Sequence, residues 1–258
     1  MIKEKEKADI KLLIDDVNNI ALFNDNNYIV LNACKDALRL AYDLLEGKKT
    51  DNYLLKITTH QGKMQGINSL STYKKVCDTC NALKDNKNAI CHKCYADKTL
   101  SMYKQLSPVL IYNTLLLKYT ALKNRQLPVI NASYFRFEAF SDLQNAQHLK
   151  NLYKIARYNP QCRFALWTKN YKLVMTEKTP RNINLILSSP FINMRLWSFN
   201  TLYDAIKKST GAKNIKLFTV YDKKRIKDAG QNCEQKCINC LKCYKANDKN
   251  IFINEKLK

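Results

Sequence analysis

The sequence predicts an α/β protein: a full or partial parallel α/β barrel with an N-terminal helix and two cysteine-rich metal-binding loops. Three observations predict it. Beyond residue 100, short β-type runs alternate with helical runs, the pattern of right-handed βαβ units around a parallel sheet. The 258 residues are 46% hydrophobic and 10% aromatic, enough for one substantial core and too little biased for a disordered half. Polar pairs follow the apolar stretches at several strand ends, where parallel α/β folds bind ligands. An open doubly wound sheet is the alternative architecture.

Residues 1–50 read as an N-terminal helical segment and 51–258 as a single α/β domain. After a charged opening, NDNNYIVLNACKDALRLAYDLLEGKK has Asn and Asp to cap a helix, Ala37, Leu38, Ala41, Leu44 and Leu45 at helical spacing, and Gly47 to end it. Cys34 falls among these apolar residues as core. NYLLKITT (52–59) is a strand candidate. SPVLIYNTLLLKYTALKN is a helix with Pro108 near its start, LPVINASYFRFEAF a strand, NAQHLKNLYKIARYN a helix closed by Pro160, and CRFALWTK a strand in which Cys162 packs. YKLVMTEK then reads helical, INLILSS extended, WSFNTLYDAIKKSTG helical and NIKLFTVYD extended.

Strand alternation places Phe135, Phe137 and Ala139 on one side of YFRFEAF and Arg136 and Glu138 on the other. A parallel strand covered on both faces reads as a continuous apolar run, so two charges here mean either a buried ion pair or a site. The strand-end pairs are Ser141 and Asp142, Thr168 and Lys169, Ser188 and Ser189, and Tyr221 and Asp222.

Eight of ten cysteines form two groups. Cys77, Cys80, Cys91 and Cys94 make two C-x2-C pairs able to offer four thiolates to zinc or an iron–sulfur cluster. Cys233, Cys237, Cys240 and Cys243 are more compressed than the paired knuckles of a zinc ribbon, and suit a cluster whose irons each need a ligand. Between zinc and iron–sulfur the spacing does not decide. His92 lies inside the second pair's turn and reads as an ordinary solvated histidine. The opening lacks a secretory signal, and no run approaches the roughly eighteen apolar residues of a membrane span. A reducing cytoplasm is expected, where cysteines serve metals rather than disulfides.

Net charge is +22, with eight Lys/Arg against nine Asp/Glu in residues 1–50, so the excess lies beyond them. Such a charge attracts DNA or RNA by counterion release, although lysine, asparagine and isoleucine richness also follows from an AT-rich genome. His60, His92 and His148 are the only histidines, and Gly-x-Ser-x-Gly, a phosphate-binding glycine loop and His-Glu-x-x-His are all absent, which disfavours the common hydrolases.

Three blocks resemble the phage gene product 88 family over roughly residues 60–255. KMQGINSLS with Cys77 and CHKCYADK is similar to its opening block, YFRFEAFSDLQNAQHLKNLYKIARYNPQCRFALWTKN to its central strand–helix–strand, and CEQKCINCLKCY before IFIN to its closing block. Phe140 and Ser141 replace the family's usual Ser-Gly before Asp142, and Cys80 is extra to the three cysteines matched by Cys77, Cys91 and Cys94. Three cysteines in this arrangement resemble, remotely, a widened radical S-adenosylmethionine signature. That likeness implies a [4Fe–4S] cluster on Cys77, Cys91 and Cys94, an auxiliary cluster on the C-terminal group, S-adenosylmethionine as cofactor, and Arg136, Glu138, Asp142 and Lys169 lining the cavity. No Gly-Gly-Glu segment is present to receive that cofactor. The competing expectation is a zinc-stapled, non-enzymatic nucleic-acid-binding protein. A phage-encoded chain would act in the host cytoplasm.

Overall fold

The computed structural model describes residues 2–195, 200–246 and 251–257. The charged opening folds as α1 (Glu4–Leu22), with Glu4 and Glu6 at its positive end and Ile10, Leu13, Ile14 and Val17 buried on one face. Asn27 caps α2 (Tyr28–Leu45) by accepting from Val30 N at 3.2 Å, and Val30, Cys34, Ala37, Leu40, Ala41 and Leu44 are buried. These helices share one hydrophobic cluster with the sheet, joined through α5 (Leu106–Tyr119). Two short helices, α3 (Asp78–Lys84) and α4 (Tyr95–Met102), precede α5 and carry the first cysteine group.

Six strands form one all-parallel sheet in chain order: β1 (Ser69–Leu70), β2 (Tyr134–Phe137), β3 (Arg163–Thr168), β4 (Ile183–Ser188), β5 (Ile215–Tyr221) and β6 (Phe252–Lys256). The connecting helices are α6 (Ala146–Tyr158), α7 (Tyr171–Val174), α8 (Asn200–Thr210), α9 (Arg225–Ala229) and α10 (Cys237–Cys240). The order never reverses, so the switch point of a doubly wound sheet is absent. Among the described residues β1 and β6 do not pair, and the sheet is open.

Strand alternation sorts the two faces. Phe135, Phe137, Phe164, Leu166, Leu185, Leu187 and Leu217 enter the main cluster against the helices. Ala165, Ile186, Phe218 and Ile253 face the other way, into a smaller cluster with Cys233 and Tyr244. The C-terminal cysteine segment thus covers the side that the main helices leave open.

Several expectations are corrected. Residues 52–59 are not a strand: only Thr58 bridges Ser69, antiparallel, and Leu54 and Ile57 are exposed because no sheet face receives them. The first strand is Ser69–Leu70. The strand drawn over 127–140 pairs only at 134–137, and YKLVMTEK supplies a single helical turn. The helix expected from Trp197 is described from Asn200; residues 197–199 lie outside the described residues. Cys34 and Cys162 are buried, 1% and 0% exposed, as packing residues. No described helix is long and apolar enough to cross a membrane.

Candidate thiol centres on the open face

The first cysteine group gathers at the carboxyl ends of β2, β3 and β4. Cys77 starts α3, is wholly buried, and points its Sγ at Asp142 O, 3.8 Å away, while Cys80 Sγ lies 4.0 Å from Ser141 Oγ. The loop carrying Cys91 and Cys94 docks beyond β4, through Ile90 N donating to Pro190 O at 2.9 Å and an Ala89–Phe191 bridge. Asp142 binds two strand ends together. Its Oδ1 accepts from Thr168 Oγ1 at 2.5 Å and its Oδ2 from Lys169 N at 2.8 Å. Two of the four strand-end pairs therefore meet at this group.

The other two pairs do local work. Tyr171 OH donates to Ser188 O, and Ser189 Oγ donates to Phe191 O at 3.0 Å. Asp222 accepts from Arg225 N at 2.7 Å and Asn193 Nδ2 at 2.6 Å, tying together the turn into α9.

Electrostatics mark the first group as one unit. The neighbouring Cys80 thiol holds the Cys77 thiol below its ordinary value; Cys77 in turn, with burial, pushes Cys80 up. Burial raises Cys91. Burial also opposes the Lys169 charge, but Cys91, Asp142, Cys80 and Cys94 outweigh it and hold the ammonium above its usual value.

The second group lies on the open face. Burial pushes Cys243 up to about 12, with Cys237, Cys233 and Cys240 all adding to the rise and Arg136 opposing it. Burial also raises Cys237, against the pull of Lys63 and Arg136. Lys63 pairs with Glu255 of β6 at 2.5 Å, linking the chain just before the first edge strand to the last. Two polar strand residues pin the segment: Asn184 Nδ2 donates to Cys243 O at 3.0 Å and to Lys245 O at 3.3 Å, and Lys216 Nζ donates to Lys242 O. Neither was singled out from the sequence. Each is a polar residue inside an apolar parallel strand, the same signal that drew attention to Arg136.

All ten cysteines are free. The donor chemistry fits two thiolate centres, each with cations beside it. Among the described residues, however, no group of three or more His, Cys, Asp or Glu side chains is placed to hold a metal ion, so loading would have to draw the sulfurs inward.

Arg136 lies between the two groups. Its guanidinium stacks 4.5 Å from the Trp167 ring, and it feels Tyr95, beside the first group, and Tyr244, Cys237 and Cys243 of the second. Glu138 is not on its face. β2 ends at Phe137, and Glu138 adopts φ +56°, left-handed, which breaks the alternation. Its wholly buried carboxylate turns into the interior, where Oε2 accepts from Thr72 Oγ1 at 3.1 Å and Oε1 stands 3.3 Å from His148 Nε2 of α6 without hydrogen-bond alignment. Gln144 N donates to His148 Nδ1, leaving the proton on Nε2, toward Glu138. Of the four proposed cavity residues, Arg136, Asp142 and Lys169 border the thiol groups and Glu138 belongs to the interior.

His92 is exposed, its Nδ1 3.0 Å from Lys84 O, as a solvated histidine would be. His60 is the residue that sequence reasoning passed over. It stacks on Phe140 with ring centroids 5.6 Å apart, and its Nε2 lies 2.7 Å from Ser69 Oγ. Burial, then the Arg136 charge, lowers its pKa to about 4. A histidine depressed from 6.5 when folded contributes stability that is present above its unfolded pKa and lost as pH falls toward the folded one. Between pH 6.5 and about 4 the wild type is therefore expected to lose up to about 3 kcal/mol that His60→Gln does not lose, read from urea unfolding of both proteins across that range. Parallel pH profiles would refute the burial of a neutral ring.

At the amino ends of β2 and β3, a cavity of about 620 Å³ is lined by Tyr134, Arg163, Cys240, Lys242, Tyr244 and Lys245, with no carboxylate among them.

A family model described as gene product 88 covers residues 43–249, more than half of the chain, and leaves α1 and most of α2 outside it. No curated protein and no solved structure matches.

Proposed function

Since the chain belongs to the gene product 88 family, we propose that this member is a two-centre thiolate metalloprotein, with Cys77, Cys91 and Cys94 holding a catalytic iron–sulfur cluster. Cys80 is a fourth, supernumerary thiol there. Cys233, Cys237, Cys240 and Cys243 hold an auxiliary cluster. The sheet is read as a partial barrel, because six parallel strands in unbroken chain order keep their main helices on one side, take the C-terminal cysteine segment on the other, and leave the carboxyl ends of the strands as a mouth.

One observation carries this reading: two separate groups of free thiols border the same open face, with Lys169 beside the first and Lys63 and Arg136 beside the second. Ammonium and guanidinium groups offset the charge that thiolates acquire on metal binding. Cys77, Cys91 and Cys94 would hold a cluster that would supply one-electron chemistry, and S-adenosylmethionine is the cofactor this reading implies. Asp142 fixes the register of Thr168 and Lys169 at that mouth, so Lys169 meets the thiols in a set position.

The basic cavity supports contact with nucleic acid as substrate, since Arg163 and Lys245 suit phosphates and Tyr134 a base. The zinc-stapled, non-enzymatic alternative uses the same cavity.

Metal and acid-labile sulfide analysis after anaerobic purification tests the proposal. Cys91→Ala and Cys240→Ala are each expected to lose one portion of iron and keep the other, with matching partial losses of visible absorbance. Stoichiometric zinc without sulfide, lost together with the fold, would favour the staple; protein with no bound metal would end both readings.

A further inference from the structure

We propose that the open face between the two cysteine groups binds an oxyanion, the carboxylate or phosphate of a small molecule, with Arg136 as its principal partner. This deepens the metalloenzyme reading and rests on it for the use made of the bound molecule; the binding itself requires only the side chains of this face.

The guanidinium of Arg136 is short of acceptors. Its Nε and Nη2 share one carbonyl, Glu138 O, at 3.4 Å each, and Nη1 meets the thioether of Met64 at 3.4 Å. Five N–H donors thus face one distant carbonyl and one weak sulfur acceptor. Among the described residues no carboxylate lies within 4 Å, because Glu138, the acid that strand alternation would have put beside it, has turned into the interior. A half-buried guanidinium without a counter-ion is costly, and Arg is the side chain suited to grip a planar or tetrahedral oxyanion with two parallel bonds.

A second orphan donor adjoins it. Trp167, under the Arg136 guanidinium, has a buried Nε1–H with no acceptor among the described residues. Lys63 and Lys169 also face this region, both within electrostatic reach of Tyr95, as Arg136 is. Lys63 is paired with Glu255, and Lys169 lies in the field of the Asp142 carboxylate; among the described residues Arg136 has no acid within ion-pair distance. The rim is aromatic: Phe140 lies against His60 and 6.4 Å from Tyr95. Unmatched positive charge, unused N–H donors and aromatic walls on one open face are what a small acidic molecule with an apolar body requires.

The chain has two tryptophans, so Trp197→Phe leaves Trp167 as the sole reporter beneath Arg136. This protein, in its purified metal-bearing form, is titrated with inorganic phosphate and with acetate at constant ionic strength. A saturable change in Trp167 emission is expected, and the anion that binds more tightly identifies the headgroup. Arg136→Gln is expected to weaken binding about tenfold or more while metal content stays unchanged. Arg136→Lys, which keeps the charge and loses the fork, should fall between, and carries the test if the Gln variant does not fold. Lys11→Gln, exposed on α1 and far along the chain from this face, should change nothing. The proposal is overturned if neither anion gives a saturable response, if the response survives Arg136→Gln, or if that variant loses metal and response together, since Arg136 would then be only a counter-charge to thiolates. Wild-type protein that carries no metal yet shows the Arg136-dependent response would sink the metal reading and leave this one standing.

Discussion

Phe137→Ala is expected to lower the free energy of unfolding by about 4 kcal/mol, the largest loss foreseen for any single side chain of this sheet. Phe137 is wholly buried on the helix-facing side of β2. Its ring stacks on Phe164 of β3, with centroids 4.7 Å apart and planes 13° from parallel, and meets Phe135 edge-on at 5.9 Å. Phe135 and Phe164 close the triangle at 5.7 Å. Truncation removes the ring's transfer free energy and leaves a cavity walled by two other rings, which strand pairing of Phe137 with Leu166 keeps from collapsing. Equilibrium urea denaturation checks the value. A loss below about 2 kcal/mol would mean that the cluster repacks, and that the sheet face is softer than its burial implies.

That cluster belongs to the part of the fold most legible in the sequence. CRFALW, INLILS and IKLFTVY are apolar runs bounded by turn residues, and each became a strand within a residue or two of its expected limits. The two edge strands were not legible. β1 is only Ser69 and Leu70, set by its ladder to β2 rather than by any local pattern. β6, inside IFINEK, carries no longer an apolar run than many loops and gains its burial from β5 and from the cysteine segment beside it. α1 lies inside the segment 1–50 expected to be helical, but its limits were not legible, because lysines and glutamates surround Ile10, Leu13, Ile14 and Val17, which recur three and four apart.

The candidate site divides in the same way. Cysteine spacing announces two groups, and both lie at the open side of the sheet. Their separation by Arg136 was not readable, because it depends on the β5-to-β6 crossover folding across the face opposite the main helices. The departure of Glu138 was beyond reach for another reason: a left-handed glutamate is rare, and residue type alone does not announce it. Asn184 and Lys216 could have been found by applying to β4 and β5 the question asked of Arg136.

The abundance of asparagine, read from the sequence as a mark of genome composition, has a structural use that yields the second large prediction. Asn151, on α6 and 2% exposed, accepts from Leu122 N at 3.1 Å and donates to Leu117 O at 2.9 Å and Thr120 O at 2.7 Å. Leu117 belongs to the last turn of α5 and Thr120 follows it, so these carbonyls have no partner further along the helix. Asn151→Leu keeps the approximate volume and deletes these three bonds to backbone, with a fourth accepted from Gln147 Nε2 at 3.2 Å, leaving buried backbone groups at the α5 terminus unsatisfied. A loss of about 3 kcal/mol is expected by urea denaturation, since each buried orphan costs about 1–3 kcal/mol and partial hydration of the turn recovers some of it. Asn26→Leu, on the exposed turn between α1 and α2, should change stability by less than about 0.5 kcal/mol. Equal effects at the two positions would mean that asparagine here reflects composition after all; the expected difference would show that buried asparagines hold helix ends and loops in place around the sheet. The same logic extends to Asn113, Asn159 and Asn182, each bonded to backbone groups of a neighbouring segment. In a chain with only five glycines and five prolines to shape its turns, the amide side chain pins the connections that carry the strand ends to the thiol groups.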